Sequence, residues 1–374
     1  MNNLFMWMAI FLTVTGAIYA VAVISVTRSL AMVRCGQSTD MPVVTVVIAA
    51  RNERIFLGTC LAALVEQSYP QELIEVIVVD DRSNDGTSAV AERFRECCGQ
   101  FSCIRIDSVP NGISPKKHAL TSAIASAYGN IILQTDADCV PPTGWIAEIV
   151  RGFEPDVGMV VGVAPYFRAP GLLNSFVRHE YIWNASLATS SIIRGRGTHA
   201  SGRNLAFRRD VFDRIGGYGD SVSVLSGDDT LLLHRIRRKS NARIVSVPTK
   251  SSHVYTHAPG TFSAFIHQRV RHMSTGTSFD TAHILLGLPV YGFHLLLVMA
   301  LAAGFFSRMA ALLFIAGFAW KCLWDVLVAL RVKAALHLET EWRVFVLNEL
   351  LLVWYMGCMP LLGSILPVKW KEKG

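Results

Sequence analysis

Asp136-Ala137-Asp138 sends two carboxylates out of one tight turn, a spacing that suits a hard divalent cation with positions left open for phosphate oxygens. A second acidic site, Asp80-Asp81, opens the run Asp80-Asp81-Arg82-Ser83-Asn84-Asp85-Gly86. It either accepts hydrogen bonds from a base or ribose, or serves as turn chemistry, for which Asp, Ser, Asn and Gly are equally suited. The third is Asp228-Asp229, after Gly227 and just before the apolar run Leu231-Leu232-Leu233, where a carboxylate caps a helix start.

Strands and helices must bring these acids to one edge. Val43 to Ala50 and Leu73 to Asp80 are β-branched runs of strand length, separated by a helical stretch around Leu57 to Gln67 that Tyr69-Pro70 closes. A third strand, Asn130 to Thr135, follows the helical pattern His118 to Ala127 and ends at Asp136. Alternating strands and helices with acids at the strand ends predict an α/β fold with a doubly wound sheet, its ligand lying beyond the carboxyl edge.

Taken in order, the motifs become specific: Val46-Val47-Ile48-Ala49-Ala50-Arg51-Asn52-Glu53, Val78-Val79-Asp80-Asp81, Asp136-Ala137-Asp138, Gly202-Arg203-Asn204-Leu205-Ala206-Phe207, Ser226-Gly227-Asp228-Asp229 and Gln268-Arg269-Val270-Arg271. This series resembles the family 2 glycosyltransferases. The resemblance implies a GT-A fold, a Rossmann-like doubly wound mixed sheet, that uses a nucleotide-diphosphate sugar and inverts the anomeric centre. It implies that Asp81 contacts uracil, with Asn52 and Glu53 in the first nucleotide-binding loop and Lys116 near the nucleotide, although Pro115 replaces the usual glycine before it. Asp136 and Asp138 match the ribose and metal acids, and Mg²⁺ or Mn²⁺ would neutralise the leaving diphosphate. Asp228-Asp229 match the family's catalytic acid pair, with Asp229 the candidate base; either the pair caps the following helix, or Asp228 caps while Asp229 points into the cleft. Gly202 to Phe207 form either the floor under the donor sugar, with Asn204 on a hydroxyl, or a plain turn. Gln268, Arg269 and Arg271 are expected to close over the diphosphate. Processive members usually have Trp after the last motif, to stack on a growing chain. Here His272 follows, as either a structural residue or a neighbour of the acceptor, and polymer synthesis loses its platform.

The 374 residues are 52% hydrophobic and only 17% charged, with mean hydropathy +0.38, which suits a membrane protein rather than a soluble enzyme or a disordered chain. Leu4 to Val26, His283 to Ser307, Met309 to Leu330 and Val344 to Val368 hold nearly all the long apolar runs. The first would rise about 34 Å as a helix, enough to cross a bilayer core, and bases follow it at Arg28 and Arg34 rather than precede it, which favours an anchor over a cleaved signal. The second and third form a hairpin, and the basic loop Arg331 to Arg343 returns the chain to the cytosol. The fourth either spans, carrying Lys369, Lys371 and Lys373 outside, or dips at Pro360 and Pro367 and returns. The expected organisation is thus an anchor over 1–34, a cytosolic GT-A domain over 39–280 and a membrane region of two or three helices over 281–374. If the source is bacterial, the membrane is the inner one.

The net charge of +7 flanks apolar runs instead of gathering into an aromatic-interleaved patch, so a membrane and not nucleic acid is the expected partner. Eight cysteines without paired C-x-x-C spacing suit reduced thiols. Lys321 and Asp325 share a helical face, with Glu349 at similar depth: either an ion cluster that locks helices, or a polar spot beside Trp320, Trp324 and Trp354 for an acceptor head group. Gly171 to Ile193 is aromatic and amphipathic, either a core helix or an interfacial one that guides a lipid. The leading expectation is transfer of a single sugar from a UDP-sugar to a hydroxyl of a membrane lipid, such as a glycolipid, sphingolipid or carotenoid-type alcohol. A processive polysaccharide synthase is the alternative.

Overall fold

The computed structural model describes residues 2–96, 99–273 and 281–365. Along the chain, α1 (Asn2–Leu30) precedes β1 (Val44–Ala50), α2 (Leu57–Val65), β2 (Ile74–Asp81), α3 (Thr87–Arg93) and β3 (Phe101–Ile106). Next come α4 (Pro115–Ser126), β4 (Ile131–Asp136), β5 (Cys139–Val140), α5 (Trp145–Arg151), β6 (Val157–Gly162) and α6 (Leu172–Ile193). The remainder comprises β7 (Leu205–Arg208), α7 (Arg209–Arg214), α8 (Asp228–Lys239), β8 (Arg243–Val247), β9 (Tyr255–Thr256), α9 (Phe262–Met273), α10 (Thr281–Gly304), α11 (Arg308–Leu336) and α12 (Phe345–Ile365). The His272 side chain, Pro367, Lys369, Lys371 and Lys373 lie outside the described residues.

The chain divides into two compact units. One, over Met32–Phe167 and Ser191–Ala258, is built on a seven-stranded sheet of order β3-β2-β1-β4-β7-β6-β8. The first four strands are parallel, as β-α-β crossovers require, whereas β7 runs antiparallel between β4 and β6. Both faces are covered, so the strands read as continuous apolar runs. Val44, Val46 and Ile48 pack with Leu57, Leu61 and Leu64 of α2 and Trp145 of α5. Val47 and Ile132, pointing the other way, pack with Leu120 and Ile124 of α4 and Leu232 and Leu233 of α8. In this register Ala50 pairs with Asp80, and Ala49 with Asp136, so the acids of β2 and β4 end at the same edge. Antiparallel β5 and β9 form a separate two-stranded ladder.

The other unit is helical: α1, most of α6, and α9 to α12. Among the described residues, four stretches in it are long and apolar enough to cross a membrane: Asn3–Leu30, Gly287–Gly304, Arg308–Leu336 and Trp342–Leu361. The segments that carry α6 and α9, expected within the 39–280 domain, pack in this unit. Its largely apolar interior holds a polar cluster. Lys321 Nζ donates to Asp325 Oδ2 at 2.5 Å and to Glu349, Tyr19 of α1 donates to Asp325, and His179 Nε2 of α6 lies 2.8 Å from Glu349 Oε1. All five side chains are buried.

Candidate active site

The loops after β1 and β2 are stitched together by their polar residues. Asn52 adopts a left-handed backbone (φ 54°), which Asn tolerates better than most residues. Its N–H donates to Ser83 Oγ at 2.9 Å, its Oδ1 accepts the Asn84 N–H at 3.0 Å, and the Glu53 N–H donates to Thr87 Oγ1 at 2.9 Å. The neighbouring acids have different partners. Asp80 is fully buried and closes the turn, accepting from the Ser83 N–H at 3.0 Å and from Ser88 Oγ. Asp81 faces the Arg82 guanidinium, with Nε to Oδ1 at 2.7 Å and Nη2 to Oδ2 at 3.2 Å.

At the end of β4, Asp136 Oδ1 accepts from Lys116 Nζ at 2.8 Å, and the same ammonium reaches Asp228 Oδ2 at 3.3 Å. Lys116 stands in the first turn of α4, where Pro115 is well placed to start a helix. Burial pulls its pKa down, but the charges of Asp136 and Asp228 outweigh burial and hold it well above the ordinary value. Gln134, a polar residue in the buried run of β4, donates Nε2 to Asp228 Oδ2 at 2.7 Å. Sequence reasoning passed over Gln134, although a polar residue inside an apolar strand signals a buried partner.

Asp228 and Asp229 open α8, after Gly227 in the left-handed region (φ 77°), where the helix dipole favours negative charge. Of the two acids, Asp229 rather than Asp228 makes the hydrogen bond at the helix end. Asp229 takes the helix-end N–H of Thr230 at 2.6 Å and the Gly202 N–H at 2.8 Å, while Asp228 turns to Lys116 and Gln134. Burial and the adjacent Asp228 charge push the Asp229 carboxyl up to about 6, against the opposing pull of Lys116 and the two N–H donors. Gly202 lies close against these side chains: a Cβ there would lie 2.9 Å from Gln134 Nε2 and 3.1 Å from Asp228 Oδ2, so one of them would have to shift.

Asp138 stands half-exposed two residues beyond Asp136, its backbone carbonyl accepting from Thr256 Oγ1 at 3.3 Å. The two carboxylates are hard oxygen donors of the kind Mg²⁺ or Mn²⁺ takes. Among the described residues no group of three His, Cys, Asp or Glu side chains gathers as a metal site.

The sheet edge therefore brings together Asn52, Glu53, Asp81, Lys116, Asp136, Asp138, Asp228 and Asp229 in one unit. Asn204 lies apart from this cleft. It is fully buried, its Oδ1 accepts from Trp145 Nε1 at 2.9 Å, and its Nδ2 donates to the carbonyls of Val163 and Ser252 at 2.8 Å each. It staples the core beneath the site, and its amide is occupied. Gln268, Arg269 and Arg271 belong to α9 in the helical unit, where buried Arg269 donates Nη2 to Glu180 Oε2 of α6 at 2.6 Å.

A mixed sheet with acids beyond β2 and β4 and an acid pair opening α8 defines a GT-A glycosyltransferase. The profile described as "Glycosyl transferase family group 2" matches residues 131–363, and that described as "Glycosyl transferase family 2" matches residues 45–216. The chain belongs to the family 2 glycosyltransferases. It is 31% identical over 201 residues to a probable glycosyltransferase, YdaM, of Bacillus subtilis, across 53% of this chain and 47% of that protein. It is 27% identical over 202 residues to the beta-monoglucosyldiacylglycerol synthase of Synechocystis, across 52% of this chain and 40% of that protein. The matches thus span about half the length of these relatives or less. Among solved structures, a mannosyltransferase from Pyrobaculum calidifontis in complex with GDP-Man and Mn²⁺ superposes with a TM-score of 0.60 at 19% identity, covering 94% of this chain and 99% of that one, a likeness of fold.

Proposed function

We propose that this glycosyltransferase moves one sugar from a UDP-sugar to a hydroxyl of a membrane lipid at the cytosolic face, with inversion and with Mg²⁺ or Mn²⁺. The observation that carries the reading is the reach of Lys116, whose single ammonium touches Asp136 on the donor side and Asp228 on the acceptor side. Asp81, Asn52 and Glu53 hold the nucleoside. Asp136 and Asp138 would hold the cation, whose chemistry there would be to neutralise charge on the departing diphosphate. Asp229, oriented by the Gly202 and Thr230 N–H groups, takes the proton of the acceptor hydroxyl. The hydroxyl oxygen bonds to the anomeric carbon as the bond to the diphosphate oxygen breaks on the opposite face, so the anomeric configuration inverts. Of the Gln268 to Arg271 run, Arg269 is occupied by Glu180.

A lipid acceptor is supported by four apolar stretches in the same chain and by the likeness to a glucosyldiacylglycerol synthase. Arg28, Arg34 and the Arg331 to Arg343 loop support the cytosolic side, where nucleotide sugars are available. The test is incubation of membranes carrying the full chain with labelled nucleotide sugars and a lipid extract. One labelled sugar on an extractable lipid is expected. A ladder of long glycans would replace the reading with a polysaccharide synthase.

A further inference from the structure

Lys117, next to Lys116 on α4, is fully buried and reaches none of the acids. Its ammonium has three N–H donors. All three find carbonyl oxygens of one short segment: Ser221 at 2.7 Å, Val224 at 2.7 Å and Ser226 at 3.2 Å. Ser114, just before α4, holds the carbonyls between them, its N–H donating to Val222 at 2.9 Å and its Oγ to Leu225 at 3.3 Å. This segment leads directly through Gly227 into Asp228-Asp229.

Apolar packing holds the segment lightly, through Val222, which is partly buried against the core. The 3₁₀ turn Gly219–Ser223 contains no buried side chain, and Val224 and Leu225 are exposed. Its backbone carbonyls are gathered instead on the first turn of α4. A buried lysine is a costly way to fill space: burial holds its pKa below the ordinary value, with Asp228 and Asp229 opposing the shift. An apolar residue there would leave the carbonyls without donors.

We infer that Lys117 is a positioning residue for the Asp228-Asp229 pair, its ammonium fixing the Ser221 to Ser226 backbone so that Asp229 meets the acceptor hydroxyl. The inference rests on the assignment of Asp229 as base. Adjacent lysines thus do two jobs: Lys116 holds the acids themselves, and Lys117 holds the chain that delivers them. Because the donor-side residues lie on other loops, losing Lys117 should harm turnover and spare donor binding.

The experiment compares Lys117→Met, Asp229→Asn and the parent as full-length membrane protein. Lys117→Met keeps the stem and removes the donors. Its turnover is expected to fall about 10²-fold, the loss that follows from misplacing a reacting group by an ångström, with nucleotide affinity kept within about threefold. Amide hydrogen exchange should quicken at 219–227 by about tenfold or more while β1, β2 and β4 stay protected. In Lys117→Ala, ammonium or ethylammonium chloride should restore part of the turnover, and sodium chloride at equal ionic strength should not. Turnover within about threefold of the parent in Lys117→Met would overturn the inference, as would exchange that quickens across the whole sheet, which marks a general stabiliser. Full turnover in Asp229→Asn would remove the base assignment, and the exchange pattern would then judge the backbone role alone. Should Lys117→Met fail to fold, Lys117→Gln, which retains two N–H donors, takes the same readings.

Discussion

Asp229→Asn tests the base assignment and the electrostatics of the site together. The carboxyl is pushed up to about 6 by burial and by Asp228, whereas an aspartate in the unfolded chain titrates at about 3.9. A base must be ionised, so turnover of the parent should rise through pH 6 and fall about tenfold for each pH unit below it. Between about pH 4 and 6 the folded state binds this proton and the unfolded state has lost it, so stability declines as pH rises through that window. Above it, the ionised carboxylate costs at most about 3 kcal/mol.

Asparagine escapes that cost. It also keeps one acceptor oxygen where Asp229 has two, receiving the Gly202 and Thr230 N–H groups, and one lost bond costs about 1–3 kcal/mol. At pH 7 the variant should therefore be as stable as the parent, or more stable by up to about 2 kcal/mol, while turnover falls about 10²- to 10⁴-fold. At pH 4, where the parent carboxyl is protonated, only the lost bond remains and the parent should be the more stable. The assay pairs thermal melting of both proteins from pH 4 to 8 with turnover at saturating donor. A variant less stable than the parent at pH 7, or a parent rate flat down to pH 5, would refute the reasoning.

Asp138→Asn should abolish most activity without lowering the melting temperature, and excess EDTA should do the same reversibly; full turnover in EDTA would remove the cation from the scheme. Gly202→Ala should displace Gln134 from Asp228 and cost about 1–3 kcal/mol of stability, read by melting, with a parallel loss of turnover; an unchanged variant would mean that the acids tolerate movement. Lys321→Met leaves Asp325 and Glu349 without their shared cation, and should cost about 3–5 kcal/mol of stability in detergent. Adding Glu349→Gln should recover part of that if the cluster only locks helices, whereas lost turnover at full stability would favour the head-group reading. A cysteine placed at an exposed position of the sheet unit should resist an impermeant maleimide in intact cells, and labelling there would reverse the topology.

The strands were legible because a sheet covered on both faces forces β-branched runs, and each expected strand lies within a residue or so of β1, β2 or β4. The acids were legible because they occupy strand ends and a helix start, where local spacing decides position. Partners separated by about a hundred residues were not. Nothing local to Gln134 announces Asp228, and nothing local to Lys117 announces the carbonyls of Ser221 to Ser226. Asn204 misled for a related reason: its motif marks the neighbourhood of the site, while its side chain turns into the core toward Trp145, Val163 and Ser252. Asp229 rather than Asp228 meets the Thr230 N–H because Lys116 and Gln134, distant in sequence, engage Asp228.

Polar contacts made at a distance also bear on α6. A plain core helix would present apolar side chains to its neighbours, yet here Ser175 and His179, one helical turn apart, meet Asn348 and Glu349 of α12, and Glu180 meets Arg269 of α9. In a membrane, apolar packing distinguishes poorly among helix registers, because lipid tails are as apolar as leucine. Buried polar pairs discriminate better, since sliding α6 by one residue would separate His179 from Glu349 and Glu180 from Arg269 together and leave charges unpaired. The polar residues of α6 therefore fix its rotation and its height within the helical unit. Its exposed Leu172 and Leu187 remain as the apolar surface. The interfacial reading of this helix rests on that outer face, while the hydrogen-bonded face sets which way it points.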